Sequence, residues 1–193
     1  MKRVLLAVVL VVAAFGAAAQ PALKITPLGE KKVSQLPPDP LYWRIENFQS
    51  LEQAKQAAGE WALAVEADGK AWLFTLGGTG GKSAGGTKVV EVGPIPRVSA
   101  PQYLLRINQA TGPNGAVTSV HSHPGSEAFY VLAGEQSIRS AHGVLRVRVG
   151  EPATGHGADM AMQVSSSGAS DLHALVMFVV DATRPFSSPA KLP

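Results

Sequence analysis

The chain has 193 residues, with 17 Lys and Arg against 14 Asp and Glu and no Cys. Lys2 and Arg3 belong to an apparent leader, and without them 15 basic residues face 14 acidic ones, a net charge of +1. That balance, with no basic run anywhere, excludes a surface that tracks a phosphate backbone, so no nucleic-acid partner is expected. The absence of Cys excludes a disulfide framework, and the core itself must supply stability.

At the N-terminus, Lys2-Arg3 precede an unbroken apolar run from Val4 to Phe15, followed by Gly16-Ala17-Ala18-Ala19-Gln20. The run is too short to span a bilayer, and its flanks are those of a secretory signal. Residues 1–19 are expected to be a signal peptide cleaved before Gln20. The expected location is periplasmic or secreted, with no membrane attachment after cleavage. The remaining length suits one domain.

Residues 20–45 read as an extended arm, since Pro21, Pro27, Pro37, Pro38 and Pro40 oppose regular structure. A short helix follows, with Ser50 as N-cap, Gln53 three residues on and Gly59 beyond its end. From Trp61 the pattern turns to β. Trp61–Val65 and Ala71–Leu76 flank Ala67-Asp68-Gly69-Lys70, a strong hairpin signal. The Gly-rich stretch 77–86 contains Gly81-Lys82-Ser83, but Leu76 stands where a phosphate loop needs its first Gly and no helix pattern follows. It reads as a flexible loop.

Further strands are expected at Lys88–Val92, Tyr103–Asn108, Val117–His123, Ala128–Leu132, Gln136–Ser140, Val144–Val149, Met160–Ser165 and Leu172–Asp181, with Gly or Asn in the turns. Many short strands and one helix predict an all-β sandwich or barrel. The helix and strands of 46–100 are expected to extend that barrel, 101–182 to form its core, and 183–193 to be a tail.

The chemistry concentrates in Gly115-Ala-Val-Thr-Ser-Val-His121-Ser-His123-Pro-Gly-Ser-Glu127-Ala-Phe-Tyr-Val-Leu-Ala-Gly134. Side chains alternate along a strand, so His121 and His123 share a face. Pro124-Gly125 reverses the chain, and Glu127 returns with Phe129 and Val131 on its own face. Two imidazoles and a carboxylate suit one divalent first-row metal: iron, manganese, nickel, copper or zinc. Without a metal, the same pair of His would be two hydrogen-bonded imidazoles on an apolar strand.

The spacing Gly-x5-His-x-His-x3-Glu-x6-Gly, at Gly115, His121, His123, Glu127 and Gly134, resembles the first motif of the cupin superfamily. The resemblance implies a double-stranded β-helix (jelly-roll) barrel from about Tyr103 to Asp181, with His121, His123 and Glu127 as metal ligands. Cupins are often dimers joined through an exchanged arm, so a homodimer through the segment before Tyr42 is a further expectation.

The second cupin motif normally supplies another His, and here Met162 stands about where it belongs. Three readings stay open: Met162 is a weak thioether ligand, the loop residue His156 replaces the missing imidazole, or three ligands suffice with Met162 lining the pocket. Arg139 is a candidate for meeting an anionic ligand inside the barrel, with Phe129 on the pocket wall. His142, in a tight turn, and Arg146 and Arg148, alternating with apolar residues, are expected to face water. His173 reads as a structural His.

Three functions follow from the resemblance. The first is a metal-dependent, dioxygenase-like enzyme on a small organic molecule, with Glu127 a ligand that detaches to act as base. The second is a binding protein for a small ligand or metal. The third is a metal-free isomerase-type barrel in which His121 and Glu127 act as acid and base.

Overall fold

The structure is a computed structural model and describes residues 20–193; the expected leader lies outside the described residues. In chain order the elements are β1 (Lys24–Val33), β2 (Tyr42–Phe48), α1 (Leu51–Ala57), β3 (Ala62–Ala67), β4 (Lys70–Gly77) and β5 (Thr87–Val92). There follow β6 (Tyr103–Gly112), β7 (His121–Ser122), β8 (Gly125–Ala133), β9 (Glu135–Ser140), β10 (Gly143–Arg148), β11 (Pro152–Thr154), β12 (Met162–Ser166), β13 (Leu172–Asp181) and β14 (Ser188–Pro189).

Strands β6 to β13 are dealt between two sheets, ordered β6-β13-β8-β11 and β10-β9-β12-β7. That is the strand order of a jelly roll, so the barrel is a double-stranded β-helix of the cupin type. β1 is added outside β6 and β14 outside β7, making each sheet five-stranded. A separate sheet, β3-β4-β2-β5, covers the outer face of the first.

This covering explains the composition of β13. Its ten residues, LHALVMFVVD, form a nearly continuous apolar run. Leu175, Met177 and Val179 pack outward against Trp43, Ile45, Trp72 and Phe74 of the small sheet. Ala174, Val176, Phe178 and Val180 pack inward with Phe129, Val131, Ile138 and Val164. A strand buried on both faces loses the polar alternation of a half-exposed one.

Two expectations for the N-terminal third are corrected. The arm of 20–45 contains a ten-residue strand, β1, paired antiparallel with β6. Pro27 is tolerated because β1 is an edge strand and its register shifts between Pro27 and Gly29. The arm thus lies along its own barrel. The strands of 46–100 also do not extend the barrel sheets; they form the separate sheet, joined to the barrel through side chains.

Other local readings hold. Ser50 Oγ accepts from the Gln53 amide at 3.3 Å, capping α1. Ala67 and Lys70 close the β3–β4 hairpin around Asp68 and Gly69, both at positive φ. The Gly-rich loop has its amides already engaged: Ser83 N donates to Glu46 Oε1 at 2.7 Å and Gly80 N to Glu91 Oε1 at 2.8 Å. Arg44 Nη1 donates to Gly80 O. A phosphate would have to displace carboxylates there, and the loop is pinned, where the sequence suggested flexibility. No helix among the described residues is long and apolar enough to cross a membrane.

Leu175 is fully buried at the centre of the double-sided sheet. Leu175→Ala is expected to cost about 2–5 kcal/mol through lost burial and a residual cavity. Val144→Ser, at an exposed edge position, should change stability by less than about 0.5 kcal/mol. Urea denaturation of both variants checks the contrast.

Candidate functional site

The motif residues are set by the turn between β7 and β8. β7 is only two residues long, because its neighbours β12 and β14 pair with it over a single short stretch. That stretch presents His121, His123 follows it, and Glu127 returns on β8 opposite Phe178 of β13. Gly134 ends β8 at φ +74°, and a Cβ there would lie 2.7 Å from Asp171 O. The final Gly of the motif is therefore required by the turn that carries the chain from β8 to β9, in the other sheet, close against the start of β13.

His121, His123 and Glu127 all line one cavity of ≈ 230 Å³ inside the barrel mouth. Its walls are mostly apolar, with Phe129, Phe178, Phe186, Val164 and Val176 prominent. The volume lies below the roughly 300–1,000 Å³ of drug-sized ligand sites, so it suits a small molecule.

Both imidazoles are held in one tautomer. His121 Nδ1 donates to Ser119 O at 2.8 Å, and His123 Nδ1 donates to Phe186 O at 2.6 Å. A carbonyl oxygen can only accept, so in the neutral rings the lone pairs are on Nε2. The ring centroids are 5.0 Å apart. His123 also packs between Phe178 and Phe186, at 4.9 and 4.7 Å. Burial holds the His123 pKa down to about 4, with the charges of His121 and Arg106 adding to the effect.

Glu127 is 2% exposed, and its Oε1 has no hydrogen-bond partner among the described residues. Burial alone raises its pKa to about 8. A buried polar atom of this kind calls for an additional partner. The loop after β11 packs directly on it: Gly155 N donates to Glu127 O at 2.9 Å, and a Cβ on Gly155 would lie 2.5 Å from Glu127 Cγ. No larger residue fits without displacing the carboxyl.

The donor chemistry of the set fits a divalent metal: two imidazole lone pairs and an unpartnered carboxyl oxygen face one cavity. Carbonyls on the opposite ring nitrogens are the orienting partners that metal-binding His residues use. The full convergence expected from the motif is not preformed, however. Among the described residues no three His, Asp or Glu side chains are gathered closely enough to hold an ion. Glu127 lies on β8, across the turn from both imidazoles, and its position is set by β13 and by Gly155.

The remaining candidates divide. Phe129 lines the cavity as expected. Met162 is 2% exposed but packs in the barrel core, paired with His121 and Ser140 in the strand register, and is not part of the cavity wall. His156 lies outside the cavity and faces His142, ring centroids 5.4 Å apart, so it does not supply the missing imidazole. Arg139 is exposed on the outer face of β9; the alternation that turns Gln136, Ile138 and Ser140 inward turns Arg139 out. His142, Arg146 and Arg148 are exposed, and His173 Nδ1 bonds Asp68 Oδ1 at 3.0 Å, a structural role.

Sequence reasoning missed Phe186, Phe178, Asn108 and Gln136. Residues 183–193 are no idle tail: β14 pairs with β7, and Phe186 supplies both a wall and the carbonyl that orients His123. The only signal was a lone aromatic in a Pro- and Ser-rich end. Gln136 was visible as a polar residue at an inward position of a strand.

No protein-family model and no curated protein matches the chain. Solved structures with partial similarity include a cupin-like protein from Thermotoga maritima, 13% identical over 46% of this chain and 65% of that one, TM-score 0.40. A double-stranded β-helix protein from Klebsiella pneumoniae is 19% identical over 45% and 70% of the two chains, TM-score 0.38. A DMSP lyase from Ruegeria pomeroyi is 21% identical over 45% and 43%, TM-score 0.39. The chain thus spans less than two thirds of the Thermotoga protein and less than half of the lyase. The class is defined by the strand order: a cupin-type barrel with a small sheet laid over one face.

The two buried groups give the metal-free protein a pH signature of opposite signs. Glu127 titrates higher in the folded state than its usual 4.5, so its contribution is lost as pH rises from 4.5 to about 8. His123 titrates lower than its usual 6.5, so its contribution is lost as pH falls from 6.5 to about 4. The slopes oppose one another between 4.5 and 6.5, leaving a net fall above 6.5. Chemical denaturation of chelator-treated protein should show stability falling from pH 6.5 to 8, and Glu127→Gln should abolish that fall.

Proposed function

We propose that the barrel cavity binds a divalent transition metal through His121 and His123, with Glu127 as the carboxylate that balances its charge, and a small, mostly apolar organic ligand beside it. The single observation that carries this reading is the imbalance of the site. Three Lewis-basic groups line one mostly apolar cavity, and among the described residues Glu127 Oε1 has no hydrogen-bond partner. Such an arrangement is completed most economically by a cation.

A divalent metal bound there supplies Lewis-acid polarisation of a ligand carbonyl or carboxylate. The chain's own residues do the rest. Ser119 O and Phe186 O fix the ring orientations, Phe129, Phe178 and Phe186 exclude water, and Gly155 holds the loop down on Glu127. The leader read from the sequence supports a place for this activity outside the cytoplasm. With neither Met162 nor His156 on the cavity wall, the proposed set is two imidazoles and one carboxylate.

A second reading, a metal-free acid–base barrel, is favoured by one observation: burial alone raises the Glu127 pKa to about 8, so the carboxyl keeps its proton near neutral pH in a cavity that both imidazoles also line. Metal analysis of protein purified without chelators or metal-affinity columns separates the two. The first reading expects about one metal per chain. His121→Ala or His123→Ala should lower affinity by more than about 100-fold, beyond the usual outer-shell effect. Met162→Ala and His156→Ala should change it by less than about 10-fold. Absence of any metal binding by the unmodified protein hands the site to the second reading.

A further inference from the structure

Gln136 is fully buried on β9 and lines the same cavity, yet neither its Nε2 nor its Oε1 has a hydrogen-bond partner among the described residues. Its register partner on β12 is Ser166, 1% exposed, whose Oγ is also unpartnered. Around them are apolar side chains: Val147 is the register partner of Gln136 on β10, and Val164 and Ile138 lie two residues along their strands. Three unpaired polar atoms among these apolar neighbours are costly unless something polar enters.

The position of this group within the barrel is informative. His121 is in register with Met162 and Ser140, whereas Gln136 lies four residues further along β9. Four residues of strand correspond to about 13 Å. The cavity therefore has His121, His123 and Glu127 at one end and Gln136 at the other, with Phe129, Val164 and Val176 between, and Asn108 beside Val176 with its Oδ1 already taken by Arg106.

We propose that Gln136 is the specificity determinant for the far end of the ligand, and that it recognises a neutral group that both donates and accepts hydrogen bonds, a primary carboxamide. The proposal rests on the reading of the cavity as a ligand site given above. A carboxamide meets the Gln136 side chain in a reciprocal pair, its carbonyl accepting from Nε2 and its NH2 donating to Oε1. A carboxylate would bring a buried charge to a place where Gln136 and Ser166 offer no cation. A ketone would leave Oε1 unpaired. The ligand class is a short apolar chain with a carboxamide at one end and an oxygen donor at the other.

The test uses the full chain and three near-isosteric probes, butanamide, pentan-2-one and butanoate, with affinities measured by NMR titration. The amide is expected to bind roughly tenfold or more tightly than either analogue, the equivalent of about one net hydrogen bond. Gln136→Met keeps the volume and removes the amide. It should bring the three affinities within about twofold and raise the thermal midpoint of the unliganded protein, because an unpaired buried amide is gone. Equal binding of amide and ketone by the unmodified protein overturns the proposal without recourse to any variant, and so does a preference that survives in Gln136→Met. Metal titration separates this from the preceding section. An amide preference without metal binding supports the role of Gln136 and sinks only the metal reading; metal binding without an amide preference does the reverse.

Discussion

The structure depends on one sheet being buried on both sides. β6, β13 and β8 carry the small sheet on their outer face and the barrel interior on their inner face. The buried apolar residues of these strands thereby divide, outward to Trp43, Ile45, Trp72 and Phe74 or inward to the barrel interior. A one-residue slip would exchange the two sets. That commitment holds Glu127 in place: its neighbours Ser126 and Ala128 face the other side, and Phe178 stands opposite it. A carboxyl in so fixed a setting cannot escape to water, and its raised pKa follows from the sheet that holds it.

The other side of the site is built from short pieces. His121 and His123 sit on and beside a two-residue strand, held by β12, by β14 and by two backbone carbonyls. Here two backbone carbonyls, and not long strand pairing, set the orientation of the rings. The small sheet plays no direct part in the cavity. Its contribution is to dry the outer face of β13 and so to stabilise the strands against which Glu127 and Phe129 are set.

Much of this was legible in the residues. The five-position motif picked out His121, His123 and Glu127, which line one cavity, and the turn residues gave most strands from Tyr103 to Asp181; the expected strand Val117–His123 is reduced to the two residues of β7, and β11 was not expected. Those signals are local, resting on alternation and on turn chemistry. The arm was misread because its prolines were weighed as strand breakers, although an edge strand with a bulge accepts Pro27. Which sheet β2–β5 joins is a non-local fact that no window of sequence contains. Arg139 was assigned inward because the inward register of β9 is set by β12, through Ser166 opposite Gln136 and Val164 opposite Ile138. The role of Phe186 depends on a chain end returning over the barrel mouth, which periodicity cannot reveal.

The central claim is that the cavity takes a cation whose charge is balanced by Glu127. Its most direct test counts protons. Without metal, the Glu127 carboxyl holds its proton up to about pH 8 while His123 is neutral. Binding of a divalent metal at pH 7 should therefore expel close to one proton per chain from Glu127, measured calorimetrically in buffers of different ionisation enthalpy. The account predicts that release in the unmodified protein and its loss in Glu127→Gln. Metal binding with the same proton release in both proteins would contradict it, because the cation would then be held without the buried carboxylate.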